Sequence, residues 1–253
     1  MRYDLAGAQQ DLPPKGKVIV YWLAGAGFLF RFDDGLTFCV DPYLSDAVER
    51  LYGFKRSMPA PVSPDGLHFD ILFLTHQHED HLDIDSFDKL MKANPHCEII
   101  ASEPCAEFLR GKGAAFTQVA AGDSVERGSI RIDVIRSAHG EQCPLAVGFL
   151  LHVASRRVYF SGDSAYDDEI VRTAAAAKPD IVIPCINGAF GNMSEAEAAA
   201  CVAACGAAVA IPSHYALFAE HGGDAAVFAE HVARLSPATR VHALGPGEGV
   251  EIP

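Results

Sequence analysis

Short apolar runs along the first half of the chain predict strands and helices. KVIVYWL, GFLFRF and LTFCV, separated by short bends, predict an antiparallel meander. FDILFLT is apolar throughout the length of one strand, which favours a strand buried on both faces. Residues 85–93 predict a helix whose inner face carries Phe87, Leu90 and Met91. CEIIAS predicts a further strand, and EPCAEFLRGKG a helix with proline in its first turn.

The second half continues with the same kinds of pattern. SIRIDVIRS, LAVGFLLHV, RVYFSGDS, PDIVIPCI, VAIPSH and a closing TRVHAL predict strands. DDEIVRTAAAAK, SEAEAAACVAACG and DAAVFAEHVARL predict helices, and Ser194 with Glu197 forms a capping-box pattern. Strands followed by strand–helix alternation in both halves predict an α/β (α+β) fold with two sheets and outer helices in four αββα layers. We expect one domain over residues 1–253, with an irregular, proline-rich stretch at residues 44–64.

Composition and charge narrow the class of protein. The chain has 253 residues, of which 49% are hydrophobic and 21% charged, as in an ordinary folded enzyme. A net charge of −13 disfavours binding to nucleic acid but permits a small anionic substrate in a locally positive pocket. The seven cysteines are scattered, and alanines around Cys201 and Cys205 favour a place in the core over a metal or redox pair.

The chain shows no secretory signal pattern and no apolar run of the roughly 18 residues that span a bilayer. Together with the scattered cysteines, this predicts a cytoplasmic protein without a membrane span. The sequence leaves open whether the chain forms a homo-oligomer.

The chemistry of the chain is concentrated in THQHEDHLD, directly after the buried strand FDILFLT. It contains the pattern H-x-H-x-D-H at His76, His78, Asp80 and His81. A polar loop is the bland alternative, but α/β proteins place their sites at the carboxyl ends of such strands. His76 and His78 can turn two imidazoles toward one metal, and Asp80 and His81 can reach a second.

One loop does not complete a two-metal shell, so further ligands must come from later strand ends. His139 in SAHG, Asp163 in FSGDS and His214 in PSHY each end a predicted strand. A lone histidine is more often structural than a ligand. Because these three residues occur in a chain that already carries a metal-binding motif, metal ligation is the favoured interpretation for them. Imidazole and carboxylate ligands suit Zn²⁺, Mn²⁺ or Fe²⁺.

The constellation resembles the metallo-β-lactamase fold superfamily over nearly the whole chain. The resemblance implies a sandwich of that type, with His76, His78 and His139 on one metal and Asp80, His81 and His214 on the other. It also implies that Asp163 bridges the two metals. Asp41 in DPYL matches a family acid that supports the site, and a strand-end cap is the alternative for this residue.

Further motifs indicate one branch of the superfamily. WLAGAGFLFRF, DPYLSD, SGDS, INGAFGNMSEAEAA and IPSHY are similar to the L-ascorbate-6-phosphate lactonase-like branch and, more weakly, to N-acyl-phosphatidylethanolamine-hydrolysing phospholipase D. The chain is shorter than those lactonases and keeps His139, so the resemblance supports a metal hydrolase more than an ascorbate lactone substrate. The branch implies Mn²⁺, and the superfamily at large implies Zn²⁺.

The expected reaction is hydrolysis of a small ester, lactone or phosphoester. Two cations about 3.5–4 Å apart activate a bridging hydroxide, and Asp80 is the predicted catalytic residue that orients it or accepts a proton. The chain contains no G-x-S-x-G elbow for covalent acyl catalysis. A phosphodiesterase or nuclease of the same fold is an alternative, although the acidic chain has no basic cluster. A non-catalytic metal-binding relative is another alternative. Flavodiiron proteins share the fold but have glutamate in place of the second motif histidine. Here that residue is His78, and no flavin-binding module follows, so a flavodiiron protein is disfavoured.

Substrate contacts are predicted from three places. Lys55 and Arg56 lie in the irregular stretch and either contact an anionic substrate or are solvated loop charges. The glycine-rich residues 187–193, with Asn187 and an exposed Phe190, form a candidate wall of a lid. Tyr215, next to His214, is either a hydrogen-bond donor to substrate or part of the core.

Overall fold

The computed structural model describes residues 2–7, 12–141, 143–153 and 155–252, which form two β-sheets and six α-helices. The strands are β1 (Arg2–Asp4), β2 (Val18–Trp22), β3 (Phe28–Phe32), β4 (Thr37–Val40), β5 (Ile71–Leu74), β6 (Glu98–Ser102), β7 (Thr117–Val119), β8 (Ser124–Arg127), β9 (Ile130–Arg136), β10 (Val147–Val153), β11 (Arg156–Phe160), β12 (Ile181–Ile183), β13 (Val209–Ala210), β14 (Arg240–Val241) and β15 (Glu248–Ile252). The helices are α1 (Ala47–Tyr52), α2 (Phe87–Ala93), α3 (Ala106–Gly111), α4 (Asp168–Ala176), α5 (Glu195–Cys205) and α6 (Ala225–Leu235). No helix in the described part of the chain is long and apolar enough to cross a membrane.

A first compact unit comprises Met1–Val119 and Leu244–Pro253. Its eight-stranded sheet has the order β1-β15-β2-β3-β4-β5-β6-β7. The first five strands in this order, β1, β15, β2, β3 and β4, pair antiparallel with their neighbours. The strands from β4 to β7 pair in parallel. All four residues of β5 are buried, as its continuous apolar pattern predicts. Leucines of the neighbouring segments pack with it in one apolar core.

A second compact unit comprises Ala120–Ala243. Its seven-stranded sheet has the order β14-β13-β12-β11-β10-β9-β8. Strands β8 to β11 are antiparallel, and β11 to β14 are parallel. Helix α5 begins with the predicted capping box of Ser194 and Glu197, and Cys201 and Cys205 on this helix are buried, as predicted.

The two units repeat one layout, in which an antiparallel meander leads into three parallel strand pairings. This repetition matches the predicted similarity of the two halves and confirms the α/β class with two sheets and helices. A single domain over residues 1–253 stays a prediction.

Several boundaries differ from those predicted. Residues 44–64 are not irregular throughout, because they contain α1, which ends at a left-handed Gly53 with φ 80°. Helix α2 begins at Phe87 rather than at residue 85, because the Asp83 carboxylate accepts the amides of Asp85 and Ser86 in a preceding turn. TRVHAL does not supply the closing strand: β15 ends the fold, pairing with β2 in the first sheet.

Candidate metal centre

In the first unit, the candidate site residues follow the ends of two neighbouring strands. Asp41 follows β4, and His76 comes two residues after the end of β5. Strands β4 and β5 are parallel, so their carboxyl ends lie at the same edge of the sheet. Asp41, His76 and His81 are all fully buried there. Ionisable groups are seldom buried unless they are paired or bind a metal.

Thr75 connects these residues. Its backbone N–H donates to Oδ1 of Asp41 at 2.9 Å, and its hydroxyl donates to Oδ2 of the same carboxylate. The hydroxyl oxygen lies 3.0 Å from Nδ1 of His76, where it accepts the ring N–H. This leaves Nε2 of His76 as the ring nitrogen with a lone pair.

Asp41 fixes the second buried imidazole in the same way. Its Oδ2 lies 2.7 Å from Nδ1 of His81, so this nitrogen donates to the carboxylate and Nε2 keeps its lone pair. A carboxylate behind a histidine is the usual support for a metal-ligating imidazole. The alternative of a strand-end cap for Asp41 is therefore less well supported than a role behind the ligands.

The donor atoms of the motif come together in pairs. Nε2 of His76 lies 2.9 Å from Nδ1 of His78, and Nε2 of His81 lies 4.0 Å from Oδ2 of Asp80. Two ligands at about 2.0–2.1 Å from one tetrahedral ion are about 3.3 Å apart. Each pair therefore has nearly the spacing of two ligands on one ion.

In the second unit, three candidate ligands follow β9, β11 and β13. These strands run in the same direction, because β10 is antiparallel to both β9 and β11, and β13 is parallel with the strands beside it. Oδ2 of Asp163 lies 3.8 Å from Nε2 of His139 and 3.2 Å from Nε2 of His214. All three side chains are buried. One carboxylate thus approaches two imidazoles, as a bridging ligand requires.

The turn that carries Asp163 depends on its neighbours. Gly162 has φ 58°, and a Cβ there would lie 2.7 Å from the carbonyl oxygen of Val147, so a side chain would not fit. Nδ2 of Asn192 donates to Oδ2 of Asp163 at 2.8 Å. Asn192 was not predictable from the sequence, since one asparagine in a glycine-rich loop gives no distinctive pattern.

Two candidate site residues have backbone angles that side chains usually avoid. Asp41 has φ 44° and His214 has φ 55°. Such angles cost of order 1–3 kcal/mol for a residue other than glycine and are frequent at functional sites. In each unit, one such residue therefore lies among the candidate ligands or directly behind them.

The donors of each unit fit divalent cations by type and spacing. They are five imidazole nitrogens and two carboxylates, a set that suits Zn²⁺, Mn²⁺ or Fe²⁺. Cys185 is also buried in the second unit, but burial, with the negative charge of Asp163, raises its pKa to about 11. Its thiol donates to the carbonyl oxygen of Ser164 at 3.3 Å. That the two clusters form one metal cage stays a prediction.

The predicted substrate residues have different environments. Arg56 donates to the carbonyl oxygens of Met58 and Tyr43 and lies over the Tyr43 ring, while Lys55 is exposed. Burial lowers the pKa of Arg56. Asn187 and Tyr215 are buried, and Phe190 is exposed as predicted.

One histidine outside the predicted ligand set packs beside a candidate ligand. His221 is one of six histidines, with His68, His96, His152, His231 and His242, for which the sequence predicts only a surface or packing position. Its ring centroid lies only 4.7 Å from that of His214. Residues 215–220, which separate His214 from His221, show no helical or strand periodicity that would predict this contact.

Solved structures show which fold these units build. A metallo hydrolase from the archaeon Ignicoccus hospitalis matches with a TM-score of 0.75 at 20% identity, over 94% of this chain and 99% of that one. The metallo-β-lactamase fold protein YhfI from Bacillus subtilis matches with a TM-score of 0.71 at 19% identity, over 94% and 100%. The fold is therefore that of the metallo-β-lactamases.

Sequence relatives identify the family. The model of the beta-lactamase superfamily domain matches residues 37–215, and the chain belongs to this superfamily. A UPF0173 metal-dependent hydrolase from Methanosarcina mazei is 26% identical over 92% of this chain and 98% of its own length. Another from Thermoplasma acidophilum is 29% identical over 71% and 75%. These findings confirm the predicted superfamily and support a metal-dependent hydrolase. The finer resemblance to the L-ascorbate-6-phosphate lactonase-like branch stays a prediction.

Proposed function

We propose that the protein is a dinuclear metal hydrolase that cleaves a small ester, lactone or phosphoester. In this proposal, His76, His78 and His139 bind the first ion, and Asp80, His81 and His214 bind the second. Asp163 bridges the two. The ions are Zn²⁺ or Mn²⁺, and Fe²⁺ is compatible with the same ligands.

The observation that carries the proposal is the pairing of donors within each unit. His76 pairs with His78 and Asp80 with His81 in the first unit, while Asp163 pairs with both His139 and His214 in the second. The donor atoms of these four pairs are 2.9–4.0 Å apart. Each ion of the proposed cage would take one pair from each unit, and only Asp163 would serve both ions.

When bound, two such cations would lower the pKa of a water between them toward neutrality and polarise the oxygen of the electrophile. The residues of the chain orient the ligands and the attacking water. Asp41 and Thr75 hold His81 and His76 so that each presents Nε2. Asp80 is the catalytic residue, because its side chain remains 15% exposed whereas that of Asp163 is 5% exposed. Its carboxylate can therefore bind a metal and also orient the attacking water or accept its proton.

The reaction class has support from the relatives, which are described as metal-dependent hydrolases. The substrate class is drawn from the resemblance to the lactonase-like branch and from the lack of a serine nucleophile elbow. A small molecule is the expected substrate, because the net charge of −13 opposes binding to nucleic acid.

The test is hydrolysis of a panel of lactones, aryl esters and phosphodiesters after loading with Zn²⁺ or Mn²⁺. We expect His76→Ala and Asp163→Ala to lower kcat/KM by at least about 1000-fold, because each removes a metal ligand. The matched controls are His68→Ala and Asp65→Asn, which change exposed residues of the same types.

Turnover that persists after chelation of the metal, or in His76→Ala, would contradict a metal-dependent reaction. A wild-type protein that binds two ions and cleaves no member of the panel would contradict the proposed substrate class and leave the metal cage in place.

A further inference from the structure

Residues 187–193 form a closed loop built on the turn of Asp163. The amide of Gly188 donates to the carbonyl oxygen of Met193 at 2.9 Å, which joins the two ends of the loop. The amide of Met193 donates to the carbonyl oxygen of Ser164 at 2.9 Å, and the Asn192 side chain donates to Asp163. The loop is therefore tied by one hydrogen bond to the proposed metal ligand Asp163 and by a second to the next residue, Ser164.

The loop presents an aromatic ring to solvent. Phe190 is 59% exposed and has φ 53°. A bulky side chain at such an angle is uncommon and costs of order 1–2 kcal/mol relative to glycine, which is the residue on its carboxyl side. The backbone angle opposes stability, and the large exposed fraction leaves little of the ring buried, so burial in a core does not account for phenylalanine here.

His221 connects Phe190 to the metal centre. The Phe190 and His221 ring centroids are 5.6 Å apart at 65°, and those of His221 and His214 are 4.7 Å apart at 35°. Phe218, which is buried, also contacts His221, with the two ring centroids 4.8 Å apart. The exposed ring is thus two ring contacts from a proposed metal ligand.

Glycines hold the two loops together. A Cβ on Gly222 would lie 2.4 Å from the carbonyl oxygen of Asn187, and one on Gly223 would lie 2.8 Å from that of Ile186. Because no larger residue fits at this approach, the segment with His221 and the loop with Phe190 pack as one surface. We call Phe190 and His221 the aromatic wall.

The charges of this region disfavour an anionic ligand. Between Lys178 and Arg234 the sequence contains no lysine or arginine, whereas it contains Glu195, Glu220 and Asp224. A phosphate or carboxylate group at the aromatic wall would find no lysine or arginine side chain from these loops. A neutral, planar group would instead gain ring contacts, which are worth about 0.5–1.5 kcal/mol each.

We propose that the aromatic wall selects substrates with a neutral aryl or similarly flat apolar group beside the scissile bond. This inference rests on the proposed function, since the wall lies beside His214, and it replaces the expectation of an anionic substrate group. Phe190 is the specificity-determining residue, and His221 positions its ring.

Binding of uncleaved substrate analogues tests the wall independently of turnover. The probes are 3,4-dihydro-2(1H)-quinolinone and δ-valerolactam, two neutral lactams that differ by a fused benzene ring. Dissociation constants are measured by calorimetry on zinc-loaded protein. We expect wild type to prefer the aryl lactam and Phe190→Ala to reduce that preference about fivefold, since one ring contact is lost.

Matched variants show whether the preference depends on the ring contact of Phe190 or on any exposed apolar side chain. Leu235→Ala removes a similarly exposed apolar side chain at the end of α6 and should keep the wild-type preference. His221→Phe keeps a ring beside Phe190 and should keep most of the preference, whereas His221→Ala should reduce it. Equal binding of the two lactams by wild type, or an unchanged preference in Phe190→Ala, would overturn the proposal.

Hydrolysis of the corresponding lactones, dihydrocoumarin and δ-valerolactone, distinguishes the two proposals. An aryl preference in binding without turnover of either lactone would contradict the proposed lactonase activity and support the wall. Turnover of both lactones with no effect of Phe190→Ala on their relative kcat/KM would support the hydrolase and overturn the wall.

Discussion

Asp41 acts on the site through other residues. Its carboxylate accepts hydrogen bonds from Thr75 and from Nδ1 of His81, and all three residues are fully buried. The arrangement leaves Nε2 of His81 as the ligand atom and makes the imidazole more basic. Asp41 itself needs no contact with a metal to influence how tightly one is bound.

Asp41→Asn should therefore weaken binding of one metal ion. The amide keeps the size of the side chain but removes the negative charge behind His81, and changes of this kind typically cost 10–100-fold in metal affinity. Competition with a chromophoric chelator measures the effect. Asp65→Asn, at an exposed position, is the matched control. Unchanged affinity in Asp41→Asn would show that the hydrogen bond to His81 has no role in metal binding.

Single residues were predictable where they carry a dense pattern. H-x-H-x-D-H indicated His76, His78, Asp80 and His81, and the strand ends indicated the later candidates. Asn192 and His221 were missed, because their importance arises from side-chain contacts between segments far apart in the chain. Arg56 donates to backbone carbonyls, an environment that no local pattern predicts, and its contact with an anionic substrate stays a prediction.

Strands β8, β9 and β10 carry a polar cluster on one face. The Asp133 carboxylate accepts hydrogen bonds from Ser124 at 2.7 Å and Arg131 at 2.6 Å, and it lies 2.7 Å from Nε2 of His152. Partial burial raises the pKa of Asp133, but the hydrogen bonds from these three partners outweigh it and lower the pKa below its ordinary value. The cluster therefore links three neighbouring strands through one ionised carboxylate.

Asp133→Asn should destabilise the protein in a pH-dependent way. Because the folded-state pKa is lowered, the ionised carboxylate stabilises the fold above the unfolded value of about 3.9, and this contribution is lost as pH falls through the folded pKa. We expect a loss of about 1 kcal/mol in the free energy of unfolding at pH 7. Urea unfolding of wild type and variant at pH 7 and pH 3 measures it.

The difference between the two proteins should be smaller at pH 3 than at pH 7, because pH 3 is below the unfolded pKa and part of the contribution of the ionised carboxylate is lost there. Glu126→Gln, an exposed change on β8, is the control and should have a smaller effect at pH 7. A destabilisation in Asp133→Asn of the same size at both pH values would show that packing, and not charge, accounts for the loss.

The longer elements were predictable because their patterns are local. Continuous or alternating apolar runs indicated β2 to β6 and β9 to β11, and Ser194 with Glu197 indicated the start of α5. The two-residue β14 and the late β15 were harder, because their pairing partners are distant in sequence. Helix α1 was missed because prolines and glycines follow it closely.

The molecule as a whole repeats one strand layout in two compact units, each with ligand candidates at the carboxyl ends of similarly directed strands. The fold class and the superfamily were predictable because the motif residues stand at those strand ends. The substrate was not, since specificity depends on contacts such as those of Phe190, which no local pattern reveals.

The most direct test of the proposed dinuclear centre is the metal content per chain, measured by elemental mass spectrometry. Wild type, His81→Ala and the exposed control His68→Ala are compared after loading with Zn²⁺ or Mn²⁺ and removal of free ions. We predict about two ions per chain in wild type and in His68→Ala, and about one in His81→Ala, which lacks a ligand of the second ion only. One ion or fewer in wild type, or two in His81→Ala, would contradict the two-metal cage.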